Sequence, residues 1–180
     1  MKWFQLMGAG IDVLPLRHAL QLHPKLWDQH SERRELGGSP HAAVHDIWLR
    51  FQDLTQRDGR AICDDHECIF YPAWYQLPQA HALVYDLARR VEASRIGRVL
   101  ITSLPPGARI EPHADSDPHS TYYERYHLVI QGLPGALFRA DQEQVQMGTG
   151  ECWWFQNAVE HEVINNSADD RIHLIVDLHL

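Results

Sequence analysis

The chain has 180 residues, 44% of them hydrophobic, which is enough to bury one sizeable core and too little for two independent ones. Its formal net charge of -8, with no long lysine or arginine run, argues against a nucleic-acid backbone as the main partner, because phosphate binding needs clustered cations. The longest apolar stretches, such as Leu133 to Phe138 and Ile172 to Leu178, fall far short of the roughly 20 residues that span a bilayer. No membrane span is therefore expected. The opening residues lack an extended apolar run and a small-residue cleavage site, so a secretory signal is not expected either.

In chain order, Leu14, Leu16, Leu20 and Leu22 mix with polar residues at spacings that predict a short helix within 12–30, ending near His23-Pro24. A loop containing Gly37-Gly38 breaks the pattern. His45, Ile47, Leu49 and Phe51 then alternate with Asp46, Trp48 and Arg50, as in a strand. Three cysteines, Cys63, Cys68 and Cys152, form an odd set without a disulfide framework, which fits a reducing compartment and an expected home in the cytoplasm. Cys63 and Cys68 bracket His66 in CDDHEC. Zinc sites of that kind usually carry a second pair at similar spacing, and none is evident, so a polar surface loop is the better reading.

From Pro78 to about Ser94, Ala82, Leu83, Tyr85, Leu87, Ala88 and Val91 recur near a helical period, with Arg89 and Arg90 where cations suit the helix dipole. Beyond Gly97 short β-rich segments follow one another at 98–104, 108–113, 122–130, 135–139, 143–147, 151–155, 160–165 and 171–179. Turn signals at Pro105-Pro106-Gly107, Gly132 with Pro134-Gly135, Gly148 to Gly150 and Asn165-Asn166-Ser167 separate them. Such spacing predicts a sandwich or barrel. One domain over 1–180 is expected, with 1–96 supplying helices and flanking strands that pack on a barrel core at 97–180.

The chemistry is concentrated in PPGARIEPHADSDPHSTYYERYHLVIQG and, after a short hairpin, GTGECWWFQNAVEHEVINNSADDRIHLIVDLH. His113 and Asp115 stand two apart at a strand end, so both side chains can point to one side, and His161 starts a later strand. Two imidazoles and one carboxylate are the donor set of the facial triad of non-heme iron(II) oxygenases, which leaves three metal positions open for 2-oxoglutarate and dioxygen. With 13 histidines in the chain, a His-x-Asp pair is expected about once by chance, so the weight lies in the distal histidine and in Arg171 beyond it. Arg171 can grip the far carboxylate of 2-oxoglutarate as a bidentate pair. The plain structural readings stay beside these: Asp115 as a turn residue in Asp-Ser-Asp-Pro with Asp117 as a rival ligand, His161 as a hairpin histidine, and Arg171 as an ion-pair partner of Asp169 or Asp170.

From about Ile101 to His179 the sequence resembles the aspartyl/asparaginyl β-hydroxylases among the 2-oxoglutarate oxygenases. The matching pieces are PPG…PH, R-Y-H-L, the Gly150…Phe155…EHEV block with Asn165, and R-x-x-L-I-V-D. The resemblance implies a mainly β fold with packing helices, a double-stranded β-helix of jelly-roll or cupin type. It also implies iron(II) on His113 and His161, and 2-oxoglutarate held by Arg171 with Thr102, Arg125 and His127. GECWWFQNAVEHEVIN further follows the spacing of the second cupin motif, with Gln156 and Ala158 where that motif prefers proline and glycine. The animal members have glycine where this chain has Asp115, and a shorter stretch before Arg125. Tyr123 stands where they have another arginine that meets the substrate.

On the plain readings, Arg125 and His127 are a polar pair inside the barrel and Thr102 is an ordinary strand threonine. Trp153, Trp154 and Phe155 are core aromatics, with alternation sending Trp153 and Phe155 one way and Trp154 the other. His41, His45, His119, His173 and His179 read as surface or supporting residues. His119, Tyr123 and Trp153 are the candidates for substrate contact. The expected function is iron(II)- and 2-oxoglutarate-dependent hydroxylation, with O2, of an unactivated C–H bond in an amino acid or peptide side chain, giving succinate and CO2. Its rivals are a metal-dependent cupin dioxygenase or isomerase that uses no 2-oxoglutarate, and a non-catalytic cupin that binds a ligand.

Overall fold

The computed structural model describes residues 1–35, 37–56 and 66–180. The chain runs β1 (Phe4–Gly8), α1 (Leu14–Leu22), α2 (Glu32–Glu35), β2 (His45–Phe51), β3 (Ile69–Phe70), α3 (Pro72–Gln76), α4 (Gln79–Arg90), β4 (Arg95–Leu104) and β5 (Arg109–His113). It continues through α5 (Pro118–Tyr122), β6 (Glu124–Gln131), β7 (Ala136–Ala140), β8 (Glu143–Val145), β9 (Cys152–Phe155), β10 (His161–Asn165) and β11 (Arg171–His179). The strands form a seven-stranded sheet in the order β1-β9-β6-β11-β4-β2-β3 and a four-stranded sheet in the order β5-β10-β7-β8. Every pairing is antiparallel. Two facing antiparallel sheets with strands crossing between them make the mainly β, double-stranded β-helix architecture that the sequence predicts.

Strict alternation decides what each face of the large sheet does. On one face Ile47, Val99, Ile101, Leu128, Leu174 and Val176 pack against Leu16, Ala19 and Leu20 of α1 and Val84 and Leu87 of α4. Fully burying an aliphatic side chain of this size stabilises by about 1.5–3 kcal/mol, so this layer fixes the register of β2, β4, β6 and β11. The other face looks into the barrel, where Phe4, Leu104, Val129 and Phe155 meet Phe138 and Val163 of the small sheet. Phe138 and Phe155 lie 4.7 Å apart between ring centroids. Trp153 and Phe155 point into this interior and Trp154 packs on the helical side, as alternation predicts.

The helices within 12–30 and 78–94 are α1 and α4, and Arg89 and Arg90 do fall in the last turn of α4. Two elements depart from the sequence reading. Phe4–Gly8 is an edge strand on β9; only Phe4 is buried, so it shows no alternation to read. Tyr122, expected to open a strand at 122–130, instead ends helix α5, and 118–121 form that helix rather than a loop, because Asp117 accepts from the Ser120 backbone N–H at 3.1 Å and caps it. Cys63 of the CDDHEC segment lies outside the described residues, while Cys68 is buried. No described helix is long and apolar enough to cross a membrane.

Candidate metal centre

β5 and β10 pair so that His113 stands directly opposite His161. Their ring centroids are 4.3 Å apart. Asp115 follows two residues after β5, and its backbone N–H donates to the Asn157 carbonyl at 3.0 Å, tying this loop to the one that leads into β10. One donor atom from each of His113, Asp115 and His161 lies within 4.8 Å of the others. His113 Nε2 is 3.7 Å from Asp115 Oδ1.

The protonation pattern suits metal binding. His113 Nδ1 is 2.7 Å from the Glu111 carbonyl and His161 Nδ1 is 2.8 Å from the Val159 carbonyl. A carbonyl only accepts, so both Nδ1 atoms carry the hydrogen and both Nε2 lone pairs face the site. His113 Nε2 is buried without a hydrogen-bond partner, a state that costs about 1–3 kcal/mol until something fills it. Burial pushes His161 down to about 4, against the pull of Asp115, so its ring is neutral at pH 7. Burial acts to raise Asp115, but the Arg125 guanidinium beside it outweighs that and holds the carboxyl below its ordinary value. Two imidazoles and a carboxylate, converging with the orphaned Nε2 of His113, fit a divalent iron with open positions.

Asp117, the rival ligand, is spent elsewhere. Its Oδ1 caps α5 and its Oδ2 accepts from Ser120 Oγ at 2.6 Å.

Deeper in the barrel, β11 projects Arg171, His173, Ile175 and Asp177 inward at successive alternate positions. β6 adds Arg125 and His127, and β4 adds Thr102. Arg171 is 4% exposed, and its Nη2 donates to His173 Nδ1 at 3.1 Å. His127 Nδ1 lies 3.2 Å from the same nitrogen. No carboxylate among the described residues pairs with Arg171; Asp170 accepts from Ser103 Oγ and Asp169 from the Asp170 backbone N–H. Burial without a counter-charge pushes the guanidinium down to about 9. His127 and His173 are held well below their ordinary value by burial and by Arg171, so both rings are neutral.

An inner pocket lined by Thr102, Arg125, His127, His161 and Arg171 shares His113, Arg125 and Ile175 with an outer cavity of about 360 Å³. His41, Phe51, Arg98 and Leu100 line that cavity with His113 and Asp115.

The structure thus gathers His113, His161, Arg171, Arg125, His127 and Thr102 around the inner pocket, with Asp115 beside His113 and Arg125 on the outer cavity. It does not bring the three substrate candidates there. His119 is fully buried with Nε2 3.1 Å from Asp177 Oδ2, because α5 turns it inward. Tyr123 is buried and donates through its hydroxyl to the His66 carbonyl at 2.8 Å. Trp153 is a core residue whose Nε1 donates to Glu151 Oε2 at 2.8 Å. None of the three lines either cavity. His173, read from the sequence as a surface or supporting residue, is fully buried beside Arg171. The polar period Arg171-x-His173-x-x-x-Asp177 inside an apolar strand was the available signal for His173 and Asp177. His41, whose ring centroid sits 4.9 Å from that of His113, had none beyond its place after a glycine loop.

This barrel, with its donor set at one end, is the fold of the 2-oxoglutarate- and iron(II)-dependent oxygenases. It is similar to a Trichoplax adhaerens prolyl hydroxylase solved with a hypoxia inducible factor peptide fragment, at TM-score 0.67 and 9% identity, covering 98% of this chain and 83% of that one. A Pseudomonas putida prolyl-4-hydroxylase matches at TM-score 0.53 and 14% identity, covering 98% and 91%. A Burkholderia pseudomallei oxidoreductase of the 2OG-Fe(II) oxygenase family matches at TM-score 0.55 and 13% identity, over 76% of this chain and 66% of its own length. No curated protein sequence matches significantly. The model of the aspartyl/asparaginyl beta-hydroxylase family matches residues 38–179, and the chain belongs to that family.

Proposed function

We propose that the chain is an iron(II)- and 2-oxoglutarate-dependent hydroxylase acting on an amino acid or peptide side chain. The observation that carries this reading is Arg171, a buried cation with no acidic partner among the described residues, opening into the same pocket as His113 and His161, whose donor atoms cluster with Asp115. A buried charge without a partner is costly, and a carboxylate from a bound small molecule is the group that relieves it.

His113, Asp115 and His161 would hold the metal. Bound there with 2-oxoglutarate and dioxygen, iron(II) supplies oxidation of an unactivated C–H bond, with succinate and CO2 as co-products. The remaining work falls to the chain. Arg171 orients the far carboxylate of the cosubstrate through two charge-assisted hydrogen bonds. His173 steadies the Arg171 fork by accepting from Nη2, while Thr102, His127 and Phe138 wall the inner pocket and keep water from it. The outer cavity, at about 360 Å³, admits a residue-sized group and places it beside His113 and Asp115.

Succinate formation with iron(II), ascorbate and a panel of free amino acids and short peptides tests the reading. Turnover that depends on a substrate adding one oxygen supports it. Succinate formation that survives both His113→Ala and His161→Ala would sink it.

A further inference from the structure

Arg125 reaches two carboxylates at once. Its Nε donates to Asp177 Oδ1 at 2.8 Å and its Nη2 to Asp177 Oδ2 at 3.1 Å, a bidentate match between planar groups. Its Nη1 donates to Asp115 Oδ2. Asp177 is itself anchored, since His119 Nε2 lies 3.1 Å from its Oδ2, and both residues are within 2% of full burial. The other oxygen of Asp115, Oδ1, is the one 3.7 Å from His113 Nε2.

We propose that Arg125 is a positioning residue for the metal, anchored on Asp177 and His119, which draws one oxygen of Asp115 aside so that the carboxylate offers only its other oxygen to the ion. The inference rests on reading His113, Asp115 and His161 as the ligands. A carboxylate free to rotate can chelate through both oxygens and take up two positions of an octahedron. A charge-assisted bond to Oδ2 opposes that and keeps a position open. The same bond fixes the Asp115 rotamer before the metal arrives, which lowers the ordering cost of binding. For Arg125 to grip the cosubstrate as well, only the two N–H bonds that these carboxylates leave unused, one on Nη1 and one on Nη2, would be available.

The test is the affinity for Mn(II), measured by titration calorimetry on the purified protein, with the visible spectrum of the Co(II) form as a second readout. Arg125→Gln alone would strand the Asp177 carboxylate, so it is combined with Asp177→Asn. Arg125→Lys, which keeps the charge but cannot bridge both acids, gives an independent reading. Both are expected to weaken Mn(II) binding by about tenfold or more and to change the Co(II) spectrum. In an Asp115→Ala background the same substitutions are expected to add nothing. Mn(II) affinity within about twofold of the parent, or an equal loss when Asp115 is absent, overturns the positioning role. Unchanged Mn(II) affinity with weakened N-oxalylglycine binding would assign Arg125 to the cosubstrate instead. A parent protein that binds no Mn(II) overturns the ligand reading itself, and the inference with it.

Discussion

Replacing Arg171 by methionine separates a binding residue from a structural one by the sign of the stability change. The guanidinium is buried among Phe138, His173 and the strand backbone, with no acid beside it, and is pushed from 12.5 down to about 9. That difference corresponds to roughly 5 kcal/mol of cost for keeping the charge in the empty pocket. Relaxation and water entry relieve part of it, leaving about 1–4 kcal/mol that an apolar side chain of similar length recovers. Urea unfolding of metal-free Arg171→Met is therefore expected to show unchanged or increased stability. Calorimetric titration of its Mn(II) form with N-oxalylglycine is expected to show at least a hundredfold loss of affinity, about 3 kcal/mol, because the ligand's carboxylate is stranded. A variant destabilised by about 2 kcal/mol or more that still binds the analogue normally would refute this reasoning and make Arg171 part of the scaffold.

His127, His161 and His173 are buried neutral rings whose values in the fold lie below the ordinary 6.5. Above pH 6.5 neither state holds these protons and their contribution to stability is complete. Below it the unfolded chain takes up protons that the fold refuses, and metal-free stability is expected to fall by about 4 kcal/mol per pH unit until His161 protonates in the fold near 4. Urea midpoints that stay level between pH 6.5 and 5 would contradict that pattern. Asn165, fully buried, donates from Nδ2 to the carbonyls of Leu104 at 2.7 Å and Asp169 at 2.9 Å, and accepts from Ser167. Asn165→Ala leaves those groups unpaired just before Arg171, so a loss of about 3 kcal/mol in unfolding free energy is expected, together with weaker analogue binding. Cys152, raised to about 11 by burial, is expected to resist alkylation at pH 8 in the folded protein and to react on unfolding, as mass spectrometry of the labelled peptide can show.

The strands that build the site were legible because their alternation is strict. In the centres of β4, β6 and β11 alternate residues such as Val99, Ile101, Tyr126, Leu128, Leu174 and Val176 pack on the helices, and the residues between them include the polar ones of the pocket, Thr102, Arg125, His127, Arg171 and His173. His113, Asp115, His161 and Arg171 could be singled out because donor type, strand context and chain order coincide. The parts that were not legible lack a period. β1 is an edge strand with one buried residue, α5 spans barely one turn, and its inward tilt alone decides that His119 supports Asp177 rather than meeting a substrate. The partners of Arg125 were equally hidden, since Asp177, 52 residues away, meets it through the register of β6 on β11, and Asp115, 10 residues away, meets it from the loop after β5. Sequence spacing shows which residues share a face; it does not show which of them touch.

The account stands most directly on a crystal structure of the protein with Mn(II) and N-oxalylglycine. It predicts the metal on His113 Nε2, His161 Nε2 and one oxygen of Asp115, with the far carboxylate of the analogue on Arg171. A metal bound away from these three residues, or an analogue whose carboxylate lies elsewhere than on Arg171, would contradict it.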